Sequence, residues 1–240
     1  KVQSKTIAYK HGDLELEGFL AWDDAIEGKR PGVLVVHEWW GLNDYARDRA
    51  KQLAEMGYVS FAIDMYGKGK KTEHPAEAKT WATEVRSNQA AWLERGQKGL
   101  DILLKQELCD TKRVAAIGYC FGGSTVLQLA LAGTDLAAVA SFHGALPTPD
   151  KAAAEKVKCK VLICHGAADP FIPEEVIQKF KAGMDAGKVD WQMILYSGAE
   201  HSFTVPNADK AGVKGIKYDK HADQRSWSHL KVLLDEAFKK

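Results

Sequence analysis

A chain of 240 residues that is 45% hydrophobic and 27% charged can bury a large core, and that length is common for one α/β domain. Lys and Arg number 33 against 32 Asp and Glu, a formal net charge of +1, so no overall field gathers nucleic acid or an anionic membrane surface. No apolar run reaches the length of a membrane span, and the first residues, KVQSKTIAYK, contain no signal-peptide core. The expectation is a soluble single domain over residues 1–240, monomeric or a small homo-oligomer, whose partner is a small molecule rather than nucleic acid or membrane. The chain begins at Lys1 without Met; a cytoplasmic protein is expected, and an exported mature form fits the same start.

The first element is a hairpin. KTIAYKHGDLELEGFLAW alternates in polarity around a His-Gly-Asp turn, the pattern of two antiparallel strands. Short β-branched runs then alternate with helical patterns: VLVVH, VSFAID, RVAAIGY, LAAVASFH, KVLICHG and WQMILY. That alternation predicts a mostly parallel sheet of about eight strands with helices on both faces. The helix in NDYARDRAKQLAEMG is capped by Asn43 or Asp44 and stopped by Gly57, and the helix in PEEVIQKFKAG begins at Pro173 and ends at Gly183. PNADKAGVKGIKYDK, rich in Gly and Lys, is expected to be the most flexible loop and to lie beside the site. The sequence carries no internal repeat and no linker.

RVAAIGYCFGGST is an apolar strand that stops at a small-residue turn and continues as a helix. Gly-x-nucleophile-x-Gly between strand and helix makes a sharp elbow, which puts Cys120 at the apex. The other cysteines, Cys109, Cys159 and Cys164, lack C-x-x-C spacing and are expected to stay thiols, with Cys164 buried in its strand. Chemistry in open α/β sheets gathers beyond the carboxyl ends of strands. Those positions hold His37, Glu38, Trp39 and Trp40, then Cys120, His143, His165, Asp169 and His201. Nucleophile, acid and histidine follow in the chain order of α/β-hydrolases, with Cys in place of Ser. In this reading His201 carries the proton, Asp169 fixes its tautomer, and the backbone N–H groups of Phe121 and Trp39 bind the oxyanion.

HEWWGLND, DMYG, GYCFGG, GAADPFIP and HSF together resemble the dienelactone hydrolase (carboxymethylenebutenolidase-like) family over nearly the whole chain. The resemblance implies an α/β-hydrolase fold and a cofactor-free hydrolase of lactones or activated carboxylic esters, with Cys120, His201 and Asp169 as its triad. It further implies that Glu38, next to the oxyanion loop, contacts the cysteine and helps form the thiolate when substrate arrives. The family's lactone enzymes are similar in having an arginine four residues after the histidine, where this chain has Val205. Their second arginine falls near AEAKTW, where none is in register, and Arg86 stands further along the same helix. Trp39, Trp40, Trp81, Phe121 and Phe203 are candidates to line an apolar pocket instead. Two other classes stay open on sequence grounds. One is a metal-dependent hydrolase built from His37, His143 and His165 with Glu38 or Asp169; the other is a non-catalytic member of the fold that binds a small molecule.

Overall fold

A computed structural model describes residues 1–239. Its strands are β1 (Val2–His11), β2 (Leu14–Asp23), β3 (Arg30–Val36), β4 (Val59–Ile63), β5 (Cys109–Tyr119), β6 (Ala138–Phe142), β7 (Lys160–Gly166) and β8 (Trp191–Tyr196). They form one sheet in the order β1-β2-β4-β3-β5-β6-β7-β8. The helices are α1 (Asp44–Glu55), α2 (Pro75–Ser87), α3 (Gln89–Leu104), α4 (Phe121–Leu131), α5 (Lys151–Ala154), α6 (Glu174–Ala186) and α7 (Lys220–Phe238). Among the described residues no helix is long and apolar enough to cross a membrane. The chain divides into two compact units, Lys1–Ile117 and Gly118–Lys240.

In the first unit β1 and β2 pair antiparallel from Val2 opposite Asp23 to His11 opposite Leu14. The turn between them is the expected one, with Gly12 at φ 59°. Strand β2 pairs antiparallel with β4 through Phe19, Leu20 and Ala21, and β4 pairs parallel with β3. Every residue of β4 and the run Val33–Val36 of β3 are buried, so these strands read as continuous apolar runs covered by α1 and α3. Asn43 caps α1, its side chain accepting the Ala46 N–H at 3.4 Å, and Gly57 follows the helix at φ 93°. Beyond β4, the Asp64 carboxylate accepts the N–H groups of Glu17, Tyr66 and Gly67 at 3.2, 2.9 and 3.0 Å. That bonding closes the DMYG turn. The Met65 N–H then donates to His37 Nε2 at 3.1 Å, joining the turn to the loop after β3.

In the second unit β6, β7 and β8 run parallel. Helices α4 and α7 pack on β6, and α7 also packs on β7. One helix end differs from the sequence expectation. Helix α6 continues through Gly183 to Ala186, with Gly187 at its C-cap. Gly183 is there for space: a Cβ would lie 2.3 Å from the Pro149 carbonyl oxygen. A glycine that permits close approach looks, in sequence, the same as one that stops a helix.

This gives a prediction with a reversed sign. Ala in a helix interior normally gains about 1 kcal/mol over Gly, whereas Gly183→Ala is expected to lose about 1 to 3 kcal/mol by overpacking. Urea denaturation checks it; a higher midpoint for the variant contradicts the packing account.

Candidate active site

Strand β5 ends at Tyr119 and α4 begins at Phe121, leaving Cys120 as the single junction residue. Its backbone sits at φ 52°, ψ −111°, a conformation L-residues avoid unless the surroundings enforce it. The enforcing contacts are specific. Its N–H donates to the Phe142 carbonyl at 3.0 Å, and its carbonyl accepts from the Ser124 N–H at 3.2 Å. A Cβ on Gly118 would lie 2.0 Å from the Gly122 carbonyl oxygen, and one on Gly123 would lie 2.6 Å from Ser141 Oγ. The turn therefore closes only over glycine, and Gly123 is a second close approach that the five-residue elbow pattern does not contain. All four cysteines are free thiols. Cys109, Cys159 and Cys164 are buried, and burial pushes them up to about 11, 11 and 12. Cys120 alone is half-buried.

Asp169 lies in the loop after β7 with its side chain fully buried. One carboxylate oxygen accepts the Phe171 N–H at 2.9 Å, and the other is 2.7 Å from His201 Nδ1. One carboxylate thus shapes its own loop and orients the imidazole. The loops after β7 and β8 are tied together by Ala168 N–H to Ala199 O at 2.9 Å. The segment expected to be most flexible is also tied down. His201 N–H donates to Gly215 O and Lys217 N–H donates to His201 O, each at 3.0 Å. Gly212 and Gly215, at φ 66° and 89°, turn the chain back so that it can brace the histidine.

The His201 ring meets Phe171 edge-on at 5.2 Å and His143 at 5.4 Å. Burial opposes a charge on His201. Attraction to Cys120, the hydrogen bonds to Asp169 and Cys120, and the Asp169 charge outweigh it and push the imidazole up to about 10. The imidazole thus lies between a carboxylate and a sulfur, and both favour its protonated form. Burial pushes His165 down instead, against the attraction of Asp169.

Two histidines of the metal alternative, His37 and His143, bond neighbouring loop residues. His37 is buried, accepts the Met65 N–H through Nε2 and bonds the Glu38 carbonyl through Nδ1. His143, at φ 41°, bonds Thr204 Oγ1 at 2.7 Å. Among the described residues no group of three His, Cys, Asp or Glu side chains is placed to hold a metal ion.

The second unit thus brings together Cys120, Phe121, Asp169 and His201. Phe203 is fully buried there against His143 and Tyr196, and Val205 is half-buried with its N–H bonded to the Ser202 carbonyl. The other candidates belong to the first unit. Glu38 is buried beyond β3, and Trp39 and Trp40 are half-buried and meet edge to face at 4.9 Å. Trp81 is half-buried against Tyr66 at 5.7 Å, and Arg86 is exposed in the last turn of α2. Sequence reasoning missed Phe171, Thr204 and the contact of His143 with His201. The signal for Phe171 was its place two residues after Asp169.

Protein usf of Aquifex pyrophilus is 32% identical over 179 residues, covering 72% of this chain and 76% of that protein. The solved structure m3DLH is similar with a TM-score of 0.95 at 38% identity, over 99% of both chains. A dienelactone hydrolase-like promiscuous phosphotriesterase from metagenomic libraries gives 0.96 at 37% identity, again over 99% of both chains. The sequence model of the dienelactone hydrolase family matches residues 16–238, and on that near-complete match the chain belongs to the dienelactone hydrolase family.

Proposed function

We propose that this chain hydrolyses lactones or activated carboxylic esters by covalent catalysis at Cys120. The observation that carries this reading is the His201 imidazole, bonded at 2.7 Å to the fully buried Asp169 carboxylate in the same unit as a cysteine at a strained strand-to-helix elbow. An imidazolium beside the sulfur favours the thiolate, the form that attacks a carbonyl carbon. In the resulting tetrahedral adduct the carbonyl oxygen becomes an oxyanion. It accepts from the N–H of Phe121, the first residue of α4. When the adduct collapses, the carbon–oxygen bond breaks and the leaving oxygen takes the His201 proton. The acyl group stays on Cys120 as a thioester. The now neutral His201 takes a proton from water as the water attacks the thioester. Collapse releases the acid, frees the thiolate and leaves His201 cationic again. Asp169 holds the tautomer through both half-reactions, and Glu38 tunes formation of the thiolate.

The nucleophile narrows the substrate. A thiolate is itself a good leaving group, so the adduct goes forward only when the ester oxygen leaves at least as well, as an enolate or aryloxide does. With Val205 in place of the family's arginine, the site lacks that grip on a substrate carboxylate. Neutral lactones and aryl esters are the substrates that fit, and a neutral phosphotriester belongs in the same panel because a solved relative is named for that activity.

Cys120→Ala is expected to abolish turnover and the stoichiometric burst with an activated ester while the protein remains folded. Cys120→Ser is expected to lose at least about a hundredfold in kcat, since a site tuned for a thiolate deprotonates a hydroxyl poorly. A protein with no burst and no turnover on any ester, yet with measurable ligand affinity, is the non-catalytic binder.

Glu38→Gln is expected to displace the pH profile of Cys120 alkylation without changing the circular dichroism spectrum. Superimposable profiles assign Glu38 to loop support alone.

A charge-assisted arginine–carboxylate contact is worth roughly 1.5 to 3 kcal/mol. Higher kcat/KM is therefore expected for neutral lactones or aryl esters than for carboxylate-bearing dienelactones, with Val205→Arg shifting the preference toward the anion. Efficient dienelactone turnover by the wild type contradicts this and directs attention to Arg86, Lys79 or Arg225.

A further inference from the structure

Phe171 is a large apolar residue that stays 48% exposed, and a scattered surface phenylalanine by itself means nothing. This one is clamped. Its N–H is bonded to Asp169 Oδ1 at 2.9 Å, and its ring stands edge-on to His201 at 5.2 Å and 84°. On another side its Cε2 lies 3.5 Å from where a Cβ on Gly215 would be, the same glycine whose carbonyl accepts the His201 N–H. A ring fixed by the same groups that fix His201, with about half its surface left open, is a prepared apolar contact beside the proton carrier.

We propose that Phe171 is a specificity residue that receives the leaving group of the ester, selecting a flat aryl or enol group over a small alkyl one. The proposal rests on the reading of Cys120 and His201 given above. His201 protonates the leaving oxygen, so that oxygen must come within hydrogen-bond reach of the imidazole. Its Nδ1 is engaged by Asp169, which leaves Nε2 for the proton transfer. Whatever the leaving oxygen carries is then delivered to the same imidazole whose ring Phe171 meets at 5.2 Å. The acyl group is fixed elsewhere, on the Cys120 sulfur. A flat apolar leaving group covers the open ring and gains an aromatic contact that a small alkyl group cannot make. That contact exists only until the acyl-enzyme forms.

The test uses two esters with the same acyl group, one with a phenyl and one with a trifluoroethyl leaving group. Acylation and deacylation are followed separately in the wild type, Phe171→Ala and Phe171→Leu. Phe171→Ala is expected to lower kcat/KM for the phenyl ester about tenfold and for the trifluoroethyl ester less than about threefold. Deacylation, which starts from an identical acyl-enzyme and still needs His201, is expected to be unchanged. Phe171→Leu keeps apolar bulk without aromaticity and should fall between the two; if the Ala variant does not fold, the Leu variant must still narrow the phenyl-to-trifluoroethyl ratio. Equal losses on both esters, or slowed deacylation, would make Phe171 a support for His201 and overturn the proposal alone. Absence of any acyl-enzyme in the wild type would overturn the Cys120 reading, and this proposal with it.

Discussion

The bond between Asp169 and His201 is the constraint on which the rest of the second unit depends. A fully buried carboxylate survives only with its oxygens satisfied, and here one oxygen serves the Phe171 N–H and the other the imidazole. Removing either partner would leave one oxygen of a buried charge unsatisfied. The carboxylate therefore couples the loop after β7 to the loop after β8, and the brace around Gly215 extends that coupling to the far arm of the latter loop. Two loops that share no local sequence logic, the second folded back on itself at Gly215, are held in one geometry by groups that cannot be left unpaired.

Backbone strain marks the same place. Cys120, His143 and Ser202 all have positive φ, and each lies just beyond a strand's carboxyl end or next to the residue that bonds Asp169. Such conformations persist only where surrounding contacts over-determine them. At Cys120 those contacts are Phe142, Ser124 and the glycines packed under the turn. At His143 they are Thr204, the His201 ring and Phe203. The rigid apolar strands β6 and β7, buried along nearly their whole length, supply the scaffold against which these residues are held.

The first unit solves a similar problem with His37 and Asp64 bonded to backbone groups. His37 takes the Met65 N–H on one nitrogen and serves the Glu38 carbonyl with the other. Asp64 closes the adjoining turn with three backbone bonds, and the Tyr9 hydroxyl bonds both the N–H and the carbonyl of Asp64. The hairpin is thereby tied to the end of β4, and the HEWWG loop has one neighbour fixed by backbone hydrogen bonds. Histidines at strand ends carry this work because a neutral imidazole can donate and accept at once.

The sequence by itself determined the strands, the hairpin and the elbow at Cys120, and narrowed the cap of α1 to Asn43 or Asp44. Each is a local matter: alternation of apolar residues, a side chain that can reach its own helix N-terminus, a glycine where a turn leaves no room for a Cβ. It also placed Glu38, Cys120, Asp169 and His201 beyond strand ends, because the order of runs and turns is written along the chain. Only the tertiary structure decided that Gly183 is a packing glycine, that the Gly- and Lys-rich loop braces His201, and that Phe171 and His143 flank the imidazole. Those facts depend on which distant segment arrives beside each residue. A glycine facing Pro149, a carbonyl at Gly215 facing His201 and a ring at Phe171 left half open are relations between parts of the chain, and no local pattern encodes them.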